Sequence, residues 1–461
     1  MTAQTRKKSS IQNMTQGNPL KILLLFSMPL MVGNIFQQLY TVVDTAIVGK
    51  VLGVEVLAAL GTVDWLNWMT LGIIQGLTQG FAILMAQKFG AKDYSKLRHV
   101  IFCSVVLSVF FGIVLAVAAQ LVMYPAMGFL KVPKEILPIA IAYLRVLFCG
   151  IPVVMAYNLS AAILRSMGDG KTPLAAMAVA AVVNIVLDLV FVIVFHWGVE
   201  GAAIATIIAQ LLSAVYCILK IRKIEILKFN SEERSLDSRL CKDLLGMGLP
   251  MAFQNAILAV GGMIVQTVVN GFGVAFIAGF TAVNKLYGIL EIAAISFGYA
   301  TTTYTGQNMG AGKDKRIAKG VVSGLFISVL TSVVITVIML VFGTYILQCF
   351  ISIDTAQGKE ALSLGKEYLG IMSLFLSVLY VLHIVRNAIQ GMGNTIIPMI
   401  SGIAEFLMRT GAAFLLPFYF GEDGILYAEV MAWLGADFIL IPGYFYVYGR
   451  LKKHRKQIEI S

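Results

Sequence analysis

The chain has 461 residues, of which 59% are hydrophobic and only 13% charged, and its mean hydropathy is +0.85. Soluble globular proteins contain about 45–50% apolar and about 25% charged residues, so this composition cannot cover a water-facing surface. It excludes a soluble enzyme, a secreted disulfide scaffold and a disordered chain, and it indicates a protein with many membrane spans.

Apolar stretches recur along the chain, and each is long enough to cross a hydrocarbon core of about 30 Å as a helix. We predict twelve spans. Their bounds in chain order are 20–46, 52–80, 99–124, 137–160, 173–195, 200–219, 244–270, 274–304, 320–348, 362–385, 397–418 and 424–449. The first span is too long for the hydrophobic region of a signal peptide, so we interpret it as retained. The sequence therefore predicts an all-α integral membrane protein with twelve transmembrane helices.

Most of the 35 lysines and arginines lie on alternate connections between these spans. They occupy the segments 6–8, 88–98, 165–171, 220–243, 313–319 and 450–456, together with Arg386. Basic residues accumulate on the cytoplasmic side of membrane proteins, so both termini are predicted to be cytoplasmic. The net charge of +11 thus orients the chain in the plasma (inner) membrane and does not indicate a nucleic-acid partner.

The second half of the chain repeats the first. Residues 53–63, GVEVLAALGTV, correspond to 273–283, GVAFIAGFTAV. At the same offset, 87–91, QKFGA, correspond to 307–311, QNMGA, and a slightly longer offset relates the later parts of the halves. Two six-helix lobes, 1–219 and 244–461, are therefore predicted, joined by a solvated cytoplasmic linker at 220–243.

Six spans are an even number, so both lobes insert in the same orientation, related by a pseudo-twofold axis along the membrane normal. Parallel repeats of this kind are typical of secondary transporters, whose substrate site lies near the midplane of the bilayer. A pore could be duplicated too, and flux without coupling would distinguish it. No nucleotide-binding loop of the form GxxxxGK[ST] occurs, so the chain carries no ATP-driven machinery of its own.

One face of the first span is polar. Asn34, Gln37, Thr41 and Asp44 are spaced by three, four and three residues, which places them on one side of a helix. A polar seam between helices is the alternative interpretation. Such a seam needs amides and hydroxyls but no carboxylate, and ionisable groups inside a bilayer are costly, so Asp44 favours a functional site.

The fifth and sixth spans carry matching polar groups. Asn184 and Asp188 are four residues apart on one helix face, and Asp188 is predicted at the same depth as Asp44. Two carboxylates at one depth can share a cation or a proton. With Thr206 on the sixth span they could form an oxygen cage that suits Na⁺, although oxygen ligands do not exclude a carrier of protons alone.

The second half lacks these two acids, since Val265 and Ala413 occupy the equivalent positions. Its own embedded charges are Lys285, Glu291, Glu405, Arg409, Glu429 and Asp437, with His383 beside them. Glu405 and Arg409 are predicted to pair as a structural contact, and His383 to form an interhelical hydrogen bond. For Glu291 and Asp437, and for Asp64 on the second span, functional and structural roles stay equally open.

Several longer motifs resemble the multidrug and toxic compound extrusion (MATE) family, over essentially the whole chain. They are YTVVDTAIVGKVLG around Asp44, AILRSMGDGKTP, NIVLDLVFVIVFHWGVEGAAIAT around Asp188, TGQNMGAGK at 305–313 and IQGMGNTIIPMISGIAEFLMR in the second half. The resemblance implies two six-helix lobes around a cavity that opens alternately to either side. It also implies efflux of organic cations, dyes and antibiotics in exchange for Na⁺ or H⁺, by a monomer without a cofactor.

The family's cation-site residues match Asp44, Asn184, Asp188 and Thr206, and also Tyr143 and Asn158, in this sequence. NorM-type members of the family are similar to this sequence, but they carry acids in their seventh and tenth helices. Here the seventh has Gln254 and Asn255, and the tenth has no acid. The resemblance therefore moves the expected ion site to the N-terminal lobe, as in the DinF-like branch.

Two other classes are weighed against this interpretation. A flippase for lipid-linked sugars would have the same two lobes, but it should carry several cationic groups to hold a diphosphate. Only Arg145, Lys285 and Arg409 are embedded here. An integral-membrane enzyme is the other class, and no span contains an HExxH, GxSxG or similar cluster.

Overall fold

The computed structural model describes residues 11–129, 132–230, 233–351 and 355–460, so the basic segment 6–8 lies outside the described residues. Regular structure in these ranges is helical. In chain order the α-helices are Pro19–Leu52 (α1), Val54–Gly90 (α2), Tyr94–Phe129 (α3), Leu137–Cys149 (α4), Ile151–Ser166 (α5), Lys171–Asp188 (α6), Gly198–Ile221 (α7), Ser238–Val269 (α8), Val274–Gly310 (α9), Asp314–Gln348 (α10), Ala356–Leu374 (α11), Leu376–Gly391 (α12), Ile396–Phe420 (α13) and Ala428–Ile460 (α14).

The helices account for the predicted spans. Within the described residues, ten are long and apolar enough to cross a membrane singly. The pairs α4–α5 and α11–α12 each cross as one bent span, with angles of 47° and 45°, which makes twelve. The predicted all-α fold with twelve transmembrane helices is thus confirmed, although several helices extend past the predicted spans and α14 continues to Ile460.

The two bends are equivalent positions of the repeat. The first break lies at Gly150, followed by Pro152, and the second at Phe375, 225 residues later. Gly150 is required by packing, because a Cβ atom there would lie 2.5 Å from the Ile207 side chain of α7. The second bend forms without glycine or proline at the break, so the packing around it, and not the local sequence, produces it.

Contacts between Cα atoms group the chain into two compact units. The N-terminal unit comprises Met1–Val63, Phe81–Leu244 and Gly306–Lys313, and the C-terminal unit comprises Asp64–Gly80, Leu245–Thr305 and Asp314–Ser461. The middle of α2 therefore belongs to the C-terminal unit and the last turn of α9 to the N-terminal unit. The lobe boundaries deduced from the repeat, 1–219 and 244–461, stay a prediction.

In the N-terminal unit, α6 packs between α1 and α7, and α5 packs on α3 and α7. The ends of α2 and α9 meet there at two glycines, Gly90 and Gly310. A Cβ atom on either would clash with a backbone carbonyl of the other helix, that of Gln307 or Gln87 respectively. The motif QxxGA of the repeat therefore serves a close backbone crossing that no other residue type permits.

The polar segment 220–243 was predicted to be a solvated linker, and part of it is instead fixed on α3. Arg98 of α3 donates two hydrogen bonds of 2.5 Å to the Glu233 carboxylate, and a third of 2.9 Å to the Ile226 carbonyl. Ser95 donates a further bond of 3.0 Å to Glu233. These donors stabilise the ionised form, so the pKa of Glu233 is lowered to about 2.

Candidate ion-binding site

Three helices of the N-terminal unit position the predicted ion-site residues. Asp44 lies on α1, Asn184 and Asp188 lie one turn apart at the end of α6, and Thr206 lies on α7. Because α6 packs against both α1 and α7, the side chains on these three helices come together inside the N-terminal unit. Asp188 is 0% exposed, and Asp44 and Asn184 are buried as well. The four strongest site predictions therefore lie in one buried region of a single unit.

The site leaves buried oxygen atoms without donors. Asn184 donates through Nδ2 to Thr206 Oγ1 at 3.4 Å, and its own Oδ1 atom is buried. Among the described residues, neither that Oδ1 nor either carboxylate oxygen of Asp188 receives a hydrogen bond. The charged group next to Asp188 is the carboxyl group of Asp44. Polar groups in an apolar interior almost always have partners, so a set of unsatisfied oxygens indicates a missing ligand or proton.

Two further residues belong to this region and were missed by sequence reasoning. Tyr40, Asn184, Thr206 and Gln210 line a narrow recess together with small alanines of α6 and α7. Among the described residues, the Gln210 Oε1 atom is buried without a donor. Both could have been found, because Gln210 follows Thr206 by four residues in an apolar helix and Tyr40 precedes Asp44 by four.

The helix that carries Asp188 changes its geometry directly after this residue. Residues Leu189–Val194 form a π-helix, and the Phe195 amide donates to the Val190 carbonyl at 2.9 Å. π-Helical turns are uncommon and occur frequently at functional sites. The wider turn places Asp188 at the junction between two backbone geometries.

The other predicted site residues have different surroundings. Thr41 is exposed and donates its hydroxyl to the Gln37 carbonyl of its own helix at 3.0 Å, and Gln37 is half-buried. The Asn158 amide likewise bonds within α5, to the Val154 carbonyl at 2.9 Å. Tyr143 is buried in α4. The hydroxyl of Thr41 and the amide of Asn158 are thus engaged with backbone in this conformation.

The remaining acids of the prediction, Asp64, Glu291 and Asp437, all belong to the C-terminal unit. Asp64 is exposed, and Lys285 is its charged neighbour. Glu291 lies 3.3 Å from the ring nitrogen Nε2 of His383, which is the interhelical contact predicted for that histidine. Asp437 is buried on α14.

The prediction that placed Arg386 on a cytoplasmic connection was wrong. Arg386 lies inside α12 and is buried, and its Nη2 atom is 2.6 Å from Glu405. Arg409 lies 3.1 Å from Glu405, as their spacing predicts, and 2.8 Å from Glu429. Arg386 stands at the edge of an apolar run, where sequence alone cannot distinguish a loop cation from a buried one.

Comparison with known proteins agrees with the motifs. The MatE family model matches residues 29–190 and 250–415, one match in each half. The probable multidrug resistance protein YpnP of Bacillus subtilis is 30% identical over 445 residues, covering 95% of this chain and 97% of its own length. The probable multidrug resistance protein NorM of Thermotoga maritima is 25% identical and covers 94% and 93%.

Solved structures share the fold. A crystal structure of MATE in complex with MaL6 superimposes with a TM-score of 0.89 at 22% identity, covering 97% of this chain and 100% of that one. An outward-facing multidrug resistance MATE family transporter of the MOP superfamily gives 0.88 at 23% identity, covering 97% and 100%. With a family model that matches both halves and a relative aligned over nearly the full length, this chain belongs to the MatE family.

Proposed function

We propose that the chain is a secondary active multidrug exporter, which moves organic cations and drugs out of the cell by antiport with Na⁺ or H⁺. The names of its curated relatives support export of drugs. In this proposal the protein acts as a monomer in the plasma membrane, with both termini cytoplasmic and without a cofactor. The coupling ion binds at Asp188 and Asp44, with Asn184 and Thr206 as further oxygen ligands.

The observation that carries this proposal is Asp188, a fully buried carboxyl group whose two oxygens receive no hydrogen bond from the described residues. An ionised carboxylate without a partner in an apolar interior costs several kcal/mol or more. The site must therefore hold a proton or a cation whenever it is closed to water. A group with this requirement is suited to couple ion binding to a change between two conformations.

The donor set accommodates either ion. Two carboxyl groups, an amide oxygen and a hydroxyl are all oxygen ligands, which hard cations such as Na⁺ prefer. A single proton on Asp188 would remove the same charge. The amide nitrogen of Asn184 donates to Thr206, and its Oδ1 atom, buried without a donor among the described residues, is available as an oxygen ligand.

Antiport follows if the drug cation and the coupling ion compete for the same charge. The ion must bind one conformation more tightly than the other, since only differential affinity can shift an equilibrium between states. Moving one elementary charge through 100 mV supplies about 2.3 kcal/mol, enough to concentrate a substrate about fifty-fold.

A flippase for lipid-linked sugars is less well supported. Such a protein needs free cationic groups for a diphosphate. The buried Arg386 and Arg409 are already paired with carboxylates, and Lys285 has Asp64 as a charged neighbour. Arg145 is exposed and donates to the Tyr124 hydroxyl. Among these four basic groups of the described spans, Arg145 alone has no carboxylate beside it, and a single cation is too little for a diphosphate.

The test is transport by purified protein in liposomes. Ethidium accumulation is followed while a Na⁺ gradient or a proton gradient is imposed separately, for wild type and for Asp188→Asn. The matched control is Glu200→Gln, which removes an exposed acid from the first turn of α7. We expect one gradient to drive accumulation in wild type and the control, and neither gradient to do so in Asp188→Asn. Accumulation under neither gradient in wild type would contradict the proposed function.

A further inference from the structure

A chain of ion pairs runs through the interior of the C-terminal unit. Arg386 of α12 pairs with Glu405 of α13, and Arg409 pairs with both Glu405 and Glu429 of α14. Glu405 and both arginines are buried, and Glu429 is nearly so. Two guanidinium groups and two carboxylates balance, so this network is electrically neutral by itself.

Asp437 lies beside this neutral network and takes no part in its pairing. It is two turns beyond Glu429 on α14 and is only 7% exposed. Within the described residues it makes no salt bridge and no hydrogen bond, and its Oδ1 atom is buried without a partner. The neighbouring guanidinium group of Arg386 is directed through Nη2 at Glu405, and among the described residues its Nε atom has no hydrogen-bond partner.

The groups that face Asp437 come from the helices packed on α14. Arg386 faces it from α12 and Glu405 from α13, one of each sign and already paired with each other. On α9, Tyr287 stacks on Trp433, one turn before Asp437, with ring centroids 5.9 Å apart. The acids of the short helix Glu422–Tyr427, Glu422 and Asp423, are exposed.

An ionised Asp437 would therefore leave one buried negative charge without an ion-pair partner of its own. The free-energy cost of such a charge is removed when the carboxyl group holds a proton. Glu405 and Glu429 have no such need, because arginines compensate them. Glu291, unlike Asp437, has a hydrogen-bonding group beside it, the His383 ring nitrogen Nε2 at 3.3 Å. Of Glu291, Glu405, Glu429 and Asp437, only Asp437 has no ion-pair or hydrogen-bond partner among the described residues.

We propose that Asp437 is a second proton-carrying group of the transport cycle, protonated in the conformation described here. The carboxyl group takes up this proton from the water on one side of the membrane, and it releases the proton to the water on the other side when a conformational change exposes α14 there. This proposal rests on the proposed function, to which it adds one proton per cycle besides the ion held at Asp188. It holds whether that first ion is Na⁺ or H⁺.

Protonation of Asp437 is tested directly and without transport. The infrared spectrum of the purified protein in lipid nanodiscs is compared between mildly acidic and alkaline pH, in H₂O and D₂O. A protonated carboxyl group gives a carbonyl band that shifts with deuteration. We expect Asp437→Asn to lose one such band, Asp437→Glu to keep it at a shifted frequency, and Asp423→Asn, the exposed control, to leave the spectrum unchanged. A spectrum of Asp437→Asn identical to wild type would overturn the proposal.

Thermal stability gives a second, independent outcome. Asparagine has the shape of a protonated aspartic acid and no charge, so Asp437→Asn should melt at or above the wild-type temperature. If Asp437 were instead ionised and held by Arg386, the substitution would remove a buried partner and lower the melting temperature. A Tm clearly below that of wild type in Asp437→Asn would therefore contradict a protonated Asp437.

Coupling stoichiometry then assigns the proton to the cycle. The proton-to-drug ratio is measured from the pH gradient that just balances a known drug gradient in liposomes. We expect the ratio to fall by one in Asp437→Asn and to stay constant in Asp423→Asn. An unchanged ratio in Asp437→Asn, with active transport, would overturn the transport role while the proposed function stands. Loss of wild-type transport would contradict the proposed function, and the infrared band would still report on Asp437.

Discussion

Asp188 in the N-terminal unit and Glu405 in the C-terminal unit are both buried carboxylates inside transmembrane helices, and their surroundings are opposite. Glu405 receives guanidinium groups from Arg386 and Arg409 at 2.6 and 3.1 Å. Asp188 has another acid as its charged neighbour, and its oxygens receive no hydrogen bond from the described residues. Burial alone therefore does not identify a functional acid. The missing counter-charge separates the two acids, because a buried acid without one must hold a proton or a cation.

The largest effect is expected from substitution of Asp188, which should change transport but not thermal stability. We expect Asp188→Asn to abolish ion-driven drug accumulation and to leave the melting temperature within a few degrees of wild type, since no salt bridge is lost. Ethidium uptake and a thermal melt of the same preparation check this. Glu200→Gln serves as the control. Normal transport by the Asp188→Asn protein would contradict the proposed role of Asp188 in ion coupling.

Removing Arg409 from the ion-pair network of the C-terminal unit should lower the stability of the protein. Arg409→Ala leaves Glu429 without its buried partner, and loss of one member of a buried ion pair costs about 3–5 kcal/mol. We expect a lower melting temperature, measured in detergent or nanodiscs. Arg145→Ala, which removes an exposed arginine bonded to Tyr124, should change the melting temperature little. An equally stable Arg409→Ala protein would show that the pairs do not hold α13 and α14 together.

Gln210 offers a smaller test of the N-terminal site. If its Oε1 atom contributes to the ion site, Gln210→Ala should weaken the apparent affinity for the coupling ion by up to about tenfold, the value of one hydrogen bond of about 1.4 kcal/mol. The measurement is the ion concentration for half-maximal ethidium transport. Gln266→Ala, in the C-terminal unit, is the control. Unchanged ion dependence in Gln210→Ala would exclude Gln210 from the site.

The smallest effect is expected at the Arg98–Glu233 pair, a compensated acid outside the membrane. Because its pKa is lowered to about 2 from an ordinary 4.5, Glu233 stabilises the linker above pH 4.5, and this contribution is lost as the pH falls toward 2. Glu233→Gln should make the linker a faster target for limited proteolysis at neutral pH. Lys228–Glu225 is an exposed pair, so Glu225→Gln should cleave at the wild-type rate.

The sites also differ in how far sequence could predict them. Asp44, Asn184, Asp188 and Thr206 were predicted as a site because polar groups stand out in apolar spans at helical spacing. Gln210 was not, since a single glutamine in a span is as consistent with packing as with a site. The Glu405–Arg409 contact was predictable because both lie on one helix. The Arg386–Glu405 contact joins two helices and required the structure.

The sequence by itself determined the membrane class, the twelve spans, the internal repeat and the family. These depend on composition, on the length of apolar segments and on motifs, all of which are local properties of the chain. Only the tertiary structure decided which acids are compensated. It placed Arg386 in α12, Asp64 in the C-terminal unit, and Asp437 beside a network that is neutral without it. Compensation depends on distances between helices far apart in sequence. A buried ion pair offsets the cost of desolvating its charges only when the two groups are in direct contact with good hydrogen-bond geometry.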